Sequence, residues 1–80
     1  MTVTVLAFGI AKEIFGASPI KIQLDNKATA GDLKTLLEVQ YPRLKKLASF
    51  MIAVNNEYAS PGDVIEEKDE IAVIPPVSGG

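Results

Sequence analysis

The 80-residue sequence predicts an α+β domain in which one main helix covers a mixed sheet of about four to five strands. Short apolar stretches with period-two alternation supply the strands, and a single longer amphipathic run supplies the helix. Turn residues punctuate the intervals between them. A chain of this length forms one domain with a small core, and its 48% hydrophobic content is enough to build that core without disulfides.

Thr2 to Phe8 reads TVTVLAF, where Val3 and Val5 alternate with Thr2 and Thr4, and predicts a first strand. In GIAKEIFG, Ile10, Ala11, Ile14 and Phe15 make a short helical face between Gly9 and Gly16, predicting a loop with one or two helical turns. Ser18 and Pro19 turn the chain into PIKIQL, where Ile20, Ile22 and Leu24 face inward against Lys21 and Gln23. The first two strands are expected to pair like a hairpin with a long connection.

The main helix is predicted to start at Thr29, because Asp32 lies three residues on, the spacing of a capping box. Leu33, Leu36, Leu37 and Tyr41 then share a face, and Pro42 stops the helix by forcing its predecessor out of helical geometry. RLKKLA reads either as a further turn or as an irregular connection. Phe50 to Val54 predicts a buried strand, Asn55 to Glu57 a turn before Tyr58, and Ser60 to Asp63 another turn. Val64 and Ile65 read as a brief strand or as inward packing. EKDE is a polar turn, and Ile71 to Ile74 a last strand.

Composition excludes several chemistries. Without cysteine there is no disulfide, thiolate metal site or thiol nucleophile, and without histidine the commonest metal ligand and neutral-pH proton shuttle are missing. No metal site is expected. A formal charge of −2 with no long run of like charge argues against nucleic acid as a partner. No apolar stretch approaches the roughly 20 residues of a membrane span, and MTVTVLAF lacks a signal peptide's basic segment, so the expected location is cytoplasmic. Glu66, Glu67, Asp69 and Glu70 read as a solvated loop, as do Lys45 and Lys46. Gly9 and Gly16 lack the Lys and Ser or Thr neighbours of a phosphate loop.

What remains is the end of the sequence, PPVSGG. Pro75 and Pro76 stiffen the exit from the last strand and remove backbone donors, so residues 75–80 are expected to form an extended tail beyond a folded unit at 1–74. At about 3.3 Å per residue the tail reaches on the order of 20 Å, enough to enter another protein's active site. Val77 offers one apolar contact, while Ser78, Gly79 and Gly80 carry little bulk; glycines pass narrow channels and leave the terminal carbonyl carbon open to attack. A carboxylate there becomes reactive once an ATP-dependent partner makes it an acyl adenylate.

These residues resemble the small subunits of molybdopterin synthase, a family of ubiquitin-like sulfur carriers. The likeness runs through VTVLAFGIAKEIFG, the helix after TAGD, IAVNNEY at 52–58 and, most specifically, KDEIAVIPPVSGG at 68–80. It implies a ubiquitin-like β-grasp fold with the first and last strands side by side at the sheet centre. It also implies that an adenylating enzyme of the ubiquitin-activating type, using ATP and Mg²⁺, activates Gly80. Sulfur is then installed as a thiocarboxylate, and the tail enters the large synthase subunit to donate sulfur to cyclic pyranopterin monophosphate. No cofactor is implied for this chain. The expected assembly is a monomer alone or a heterotetramer with the large subunit. Lys12 stands where the family often has Arg, exchanging a bidentate contact for a point charge. Ile74 stands where an aromatic is common. Phe8, Tyr58, Ile74 and Val77 are the candidate apolar anchors for a partner, with Lys12, Pro75, Pro76 and Ser78 as further contacts, although strand alternation leaves Phe8 and Ile74 equally open to a core role. A thiazole-pathway sulfur carrier, a ubiquitin-like protein modifier and an inert adaptor with an incidental tail remain alternative readings.

Overall fold

The computed structural model describes residues 1–47 and 49–75. Elements follow in the order β1 (Thr2–Ala7), α1 (Gly9–Phe15), β2 (Ile20–Gln23), α2 (Ala30–Gln40), a 3₁₀ helix (Pro42–Lys46), β3 (Met51–Val54), β4 (Glu57–Tyr58) and β5 (Glu70–Ile74). The five strands make one mixed sheet in the order β2-β1-β5-β3-β4. β1 and β5 run parallel at its centre, and the remaining neighbours are antiparallel.

Alternation decides which way each strand faces. Val3, Val5 and Ala7 of β1, Ile22 of β2, Ile52 of β3 and Ile71 and Val73 of β5 are buried on one side of the sheet. Leu33 and Leu37 of α2 join the same core, both fully buried. Each such leucine contributes roughly 1.5–3 kcal/mol through removal from water. The helix begins as its sequence predicts: Thr29 Oγ1 accepts from the Asp32 backbone N–H at 3.2 Å, and Asp32 Oδ2 accepts from the Thr29 N–H at 3.0 Å. That reciprocal cap satisfies two donors the helix cannot pair internally. Pro42 closes α2 and opens the 3₁₀ helix, which makes residues 43–46 of RLKKLA a helical turn that drives Leu44 into the core.

The structure corrects the sequence reading between residues 55 and 65. Asn55 and Asn56 both take positive φ, 53° and 71°, so the turn contains these two residues alone, and Glu57 belongs to β4 with Tyr58. A two-residue loop with both φ values positive matches the right-handed twist of the flanking strands, and Asn tolerates it. Of the two readings left open for Val64 and Ile65, a brief strand or inward packing, no strand forms and the second holds for Ile65 alone. Val64 makes only an isolated bridge to Thr29 and is exposed, while Ile65 packs inward. β1 ends one residue earlier and β3 starts one residue later than predicted, which releases Phe8 from the ladder and leaves Phe50 as a buried residue ahead of its strand. No helix among the described residues is long and apolar enough to cross a membrane.

Candidate functional site

Only one side of the sheet is covered by α2. On the other side the register aligns Leu6 with Ala72, Ala72 with Ala53, and Ala53 with Tyr58, a row crossing four strands. The next row pairs Ile74 with Met51, and Phe8 continues β1 beside it. Alanines therefore form the floor and large residues the walls. The result is a groove of about 330 Å³ lined by Leu6, Phe8, Ala53, Tyr58, Ala72 and Ile74, with Asn56 and Glu70 at its polar end. Phe8 is 51% exposed and Tyr58 65%. Contiguous exposed apolar surface of this kind is unfavourable in isolation and marks a place where another surface docks.

The groove lies beside the exit of β5. Pro75 follows Ile74 directly, and its Cγ sits 3.6 Å from the position a side chain would occupy on Gly9. Gly9 has φ +55°, a left-handed conformation that glycine adopts without strain. The departing chain is thereby held against the corner between β1 and α1. The Phe8 carbonyl accepts from the backbone N–H groups of Ala11 and Lys12, at 3.1 and 3.4 Å, so α1 starts immediately behind the Phe8 side of the groove.

Of the residues proposed from sequence, Phe8, Tyr58 and Ile74 are brought together around one groove, and Pro75 stands at the exit. The alternation that left Phe8 and Ile74 between core and surface resolves for both toward the open face, with Ile74 half-buried. Lys12 is exposed on α1 and does not line the groove. Pro76, Val77, Ser78, Gly79 and Gly80 lie outside the described residues. Sequence reasoning missed Leu6, which strand alternation places on the same side as Phe8, and Met51, Ala53 and Ala72, which only the pairing register brings alongside it. Among the described residues no group of three or more His, Cys, Asp or Glu side chains is arranged to hold a metal.

It also missed Asp69. This residue is 9% exposed and not part of a solvated loop: Oδ2 accepts from the Glu66 N–H at 2.8 Å and Oδ1 from Asn55 Nδ2 at 3.0 Å. Asn55 Oδ1 in turn accepts from the Glu70 N–H at 3.0 Å. The pair clasps the β3–β4 turn to the start of β5 and so fixes the strand that carries the tail. The Glu66 backbone bond, then the Asn55 bond, hold the Asp69 carboxyl below its ordinary pKa against a weaker opposing effect of burial. A lowered folded-state pKa means the stabilisation is complete above the unfolded value, near pH 4, and is lost as pH falls through the folded value. Asp69→Asn is therefore expected to be less stable than wild type at neutral pH by on the order of 1 kcal/mol. The gap should narrow below about pH 4, as urea denaturation across pH will measure.

Comparison with known proteins fits this arrangement. The model of the ThiS family matches residues 5–80. A molybdopterin synthase sulfur carrier subunit from Caenorhabditis elegans is 42% identical over 84 residues, covering 100% of this chain and 99% of its own length. The human protein of the same name is 39% identical, covering 98% of this chain and 93% of its own. Among solved structures, SAMP1 from Haloferax volcanii matches with a TM-score of 0.83 at 27% identity over the full length of both chains. A chain from the Helicobacter pylori complex of subunits 1 and 2 of molybdopterin-converting factor also matches end to end, with a TM-score of 0.69 at 25% identity. A ubiquitin from Caldiarchaeum subterraneum, 18% identical with a TM-score of 0.67, shares the β-grasp fold alone. With the family model spanning the groove, the β5 exit and the tail, and with relatives alike along nearly their whole lengths, this chain belongs to the ThiS family, among the molybdopterin synthase sulfur carrier subunits.

Proposed function

We propose that this chain carries sulfur on the carboxyl group of Gly80 and delivers it through the tail into the large subunit of molybdopterin synthase. The observation that carries the reading is the position of the groove: an exposed apolar docking face ends where β5 hands over to PPVSGG. A partner seated on Phe8, Tyr58 and Ile74 receives the tail from a fixed origin at Pro75. Lys12 would add a point-charge contact, Pro76 would keep the tail extended, and Val77 and Ser78 would lie in the partner's channel ahead of Gly79 and Gly80.

The chemistry needs no side chain of this chain, in keeping with a sequence that has neither cysteine nor histidine. The Gly80 carboxylate attacks the α-phosphorus of ATP on an adenylating enzyme of the ubiquitin-activating type, releasing pyrophosphate, with Mg²⁺ held by that partner. A sulfur nucleophile then displaces AMP at the carbonyl carbon to leave a thiocarboxylate. Inside the large subunit the thiocarboxylate sulfur bonds to a carbon of cyclic pyranopterin monophosphate as an oxygen leaving group departs, and water cleaves the resulting thioester to leave the sulfur on the pterin and restore the Gly80 carboxylate.

Tandem mass spectrometry of the C-terminal peptide, after incubation with the activating enzyme, ATP and a sulfur donor, tests this. Replacement of one oxygen by sulfur at Gly80 is expected. Fragment ions are needed because oxidation of Met1 or Met51 changes the intact mass by nearly the same amount. An unmodified Gly80 with active enzyme and donor would overturn the reading. A second reading, attachment of Gly80 to lysines of other proteins, draws on the likeness to a small archaeal modifier protein. Peptides branched at lysine with the SGG end would favour it.

A further inference from the structure

We infer, resting on the reading of this chain as a tail-donating subunit, that Arg43, Lys45, Lys46 and Lys12 form a second contact surface. It recognises an acidic rim on the large synthase subunit around the mouth that receives the tail. Arg43, Lys45 and Lys46 fall in the last turn of the 3₁₀ helix, and all three are exposed, as is Lys12 on α1. α1 meets the start of the 3₁₀ helix through Phe15 and Tyr41, the residue ahead of Pro42, whose ring centroids are 4.6 Å apart.

Both helices sit at the end of the sheet where the tail departs. α1 follows β1 through Phe8 and Gly9, which abuts Pro75. The 3₁₀ helix leads within a few residues to Met51, the partner of Ile74. Against four cations, these two helices carry the single carboxylate Glu13. Among the described residues Lys68 pairs with Glu66 at 3.9 Å, at the opposite end. That opposite end, the β3–β4 turn and the approach to β5, gathers Glu57, Glu66, Glu67, Asp69 and Glu70 against Lys68 alone.

Two local clusters of opposite sign result, a positive one on the helices beside the tail's exit and a negative one around the β3–β4 turn and the start of β5. The length of β5 separates the two ends by on the order of 15 Å. That exceeds the Debye length of about 8 Å at physiological ionic strength, so a partner meets the two ends as separate fields. Such a charge distribution turns the molecule tail-first during encounter with a surface that is locally acidic. An extended polyanion fits less well, since the net charge of −2 repels it from the remainder of the molecule.

Stopped-flow association with the purified large subunit, from about 20 to 500 mM NaCl, tests the assignment. The triple variant Arg43→Glu, Lys45→Glu, Lys46→Glu should associate at least about ten-fold more slowly at low salt, with the difference closing at the highest salt. A triple Gln variant should fall between. Far-end reversal, Glu66→Lys with Glu67→Lys, should not slow association. Circular dichroism will verify that each variant is folded. Wild-type rates and salt slope in the triple Glu variant, or equal slowing by the far-end reversal, would overturn the surface while the sulfur-carrier reading stands. Tight capture of a mixed-sequence single-stranded RNA through the same cations would reassign the patch and overturn it as well. Failure of wild type to bind the large subunit at any salt would bring down the functional reading and this surface together.

Discussion

Removal of Gly79 and Gly80 will leave thermal unfolding unchanged within about 1 °C and abolish sulfur transfer. The described core runs to Val73 on β5, six residues ahead of Gly79. The fold is therefore expected to survive the deletion, while the proposed reaction loses the carboxyl group on which sulfur travels. Substituting Gly80→Ala separates reach from chemistry. It keeps a carboxylate at the same position but adds a Cβ in a channel expected to be narrow, so formation of the thiocarboxylate should fall by one to two orders of magnitude without vanishing. Single-turnover assays that follow both the thiocarboxylated peptide and product formation by the large subunit will check this. Full activity in the deletion variant would reject the terminal carbonyl as the sulfur carrier.

Phe8→Ala is expected to weaken binding to the large subunit by roughly 30-fold, about 2 kcal/mol, with little change in stability. Phe8 is half exposed and lies past the end of β1, so its truncation leaves no cavity in the core. In a docked complex the same ring becomes a wall of a desolvated groove, where an aromatic side chain contributes most. Tyr58→Ala should act in the same direction. A charged residue on the groove floor, Ala72→Asp, should be more severe, because it places an unpaired carboxylate beneath the partner. Isothermal titration calorimetry will give the affinities, and thermal melts will separate binding from folding. Unchanged affinity in Phe8→Ala would remove this face from the interface.

Local rules made the helix legible. Thr29 and Asp32 are three residues apart and cap each other through contacts that need no knowledge of the remaining chain. Likewise Pro42 stops α2 by clashes confined to its own neighbours. Strand pairing is different, because nothing near Ala53 or Ala72 says that they will lie side by side, and without that register the groove floor cannot be read. β4 escaped notice since two residues have no periodicity to detect, although the positive φ of Asn55 was foreseeable from its residue type. Asp69 was misread because charge patterning describes neighbours in sequence, whereas its partner Asn55 arrives from the preceding hairpin. Phe8, Tyr58 and Ile74 could be nominated individually from the family resemblance. Their convergence needed the fold.

The placement of β5 between β1 and β3 has a consequence for when the tail becomes usable. The central parallel pair joins segments from opposite ends of the described chain, Thr4 beside Glu70, so its formation must meet the entropy of closing nearly the largest loop the domain contains. Contacts so distant in sequence form late, after local elements such as α2 and the β3–β4 hairpin are available. The strand that presents PPVSGG is also the strand that completes the core, through Ile71 and Val73. An unfinished chain therefore lacks both the end of β5 at Pro75 and the groove beside it, because the pairing of β5 with β1 and β3 completes the two in one step.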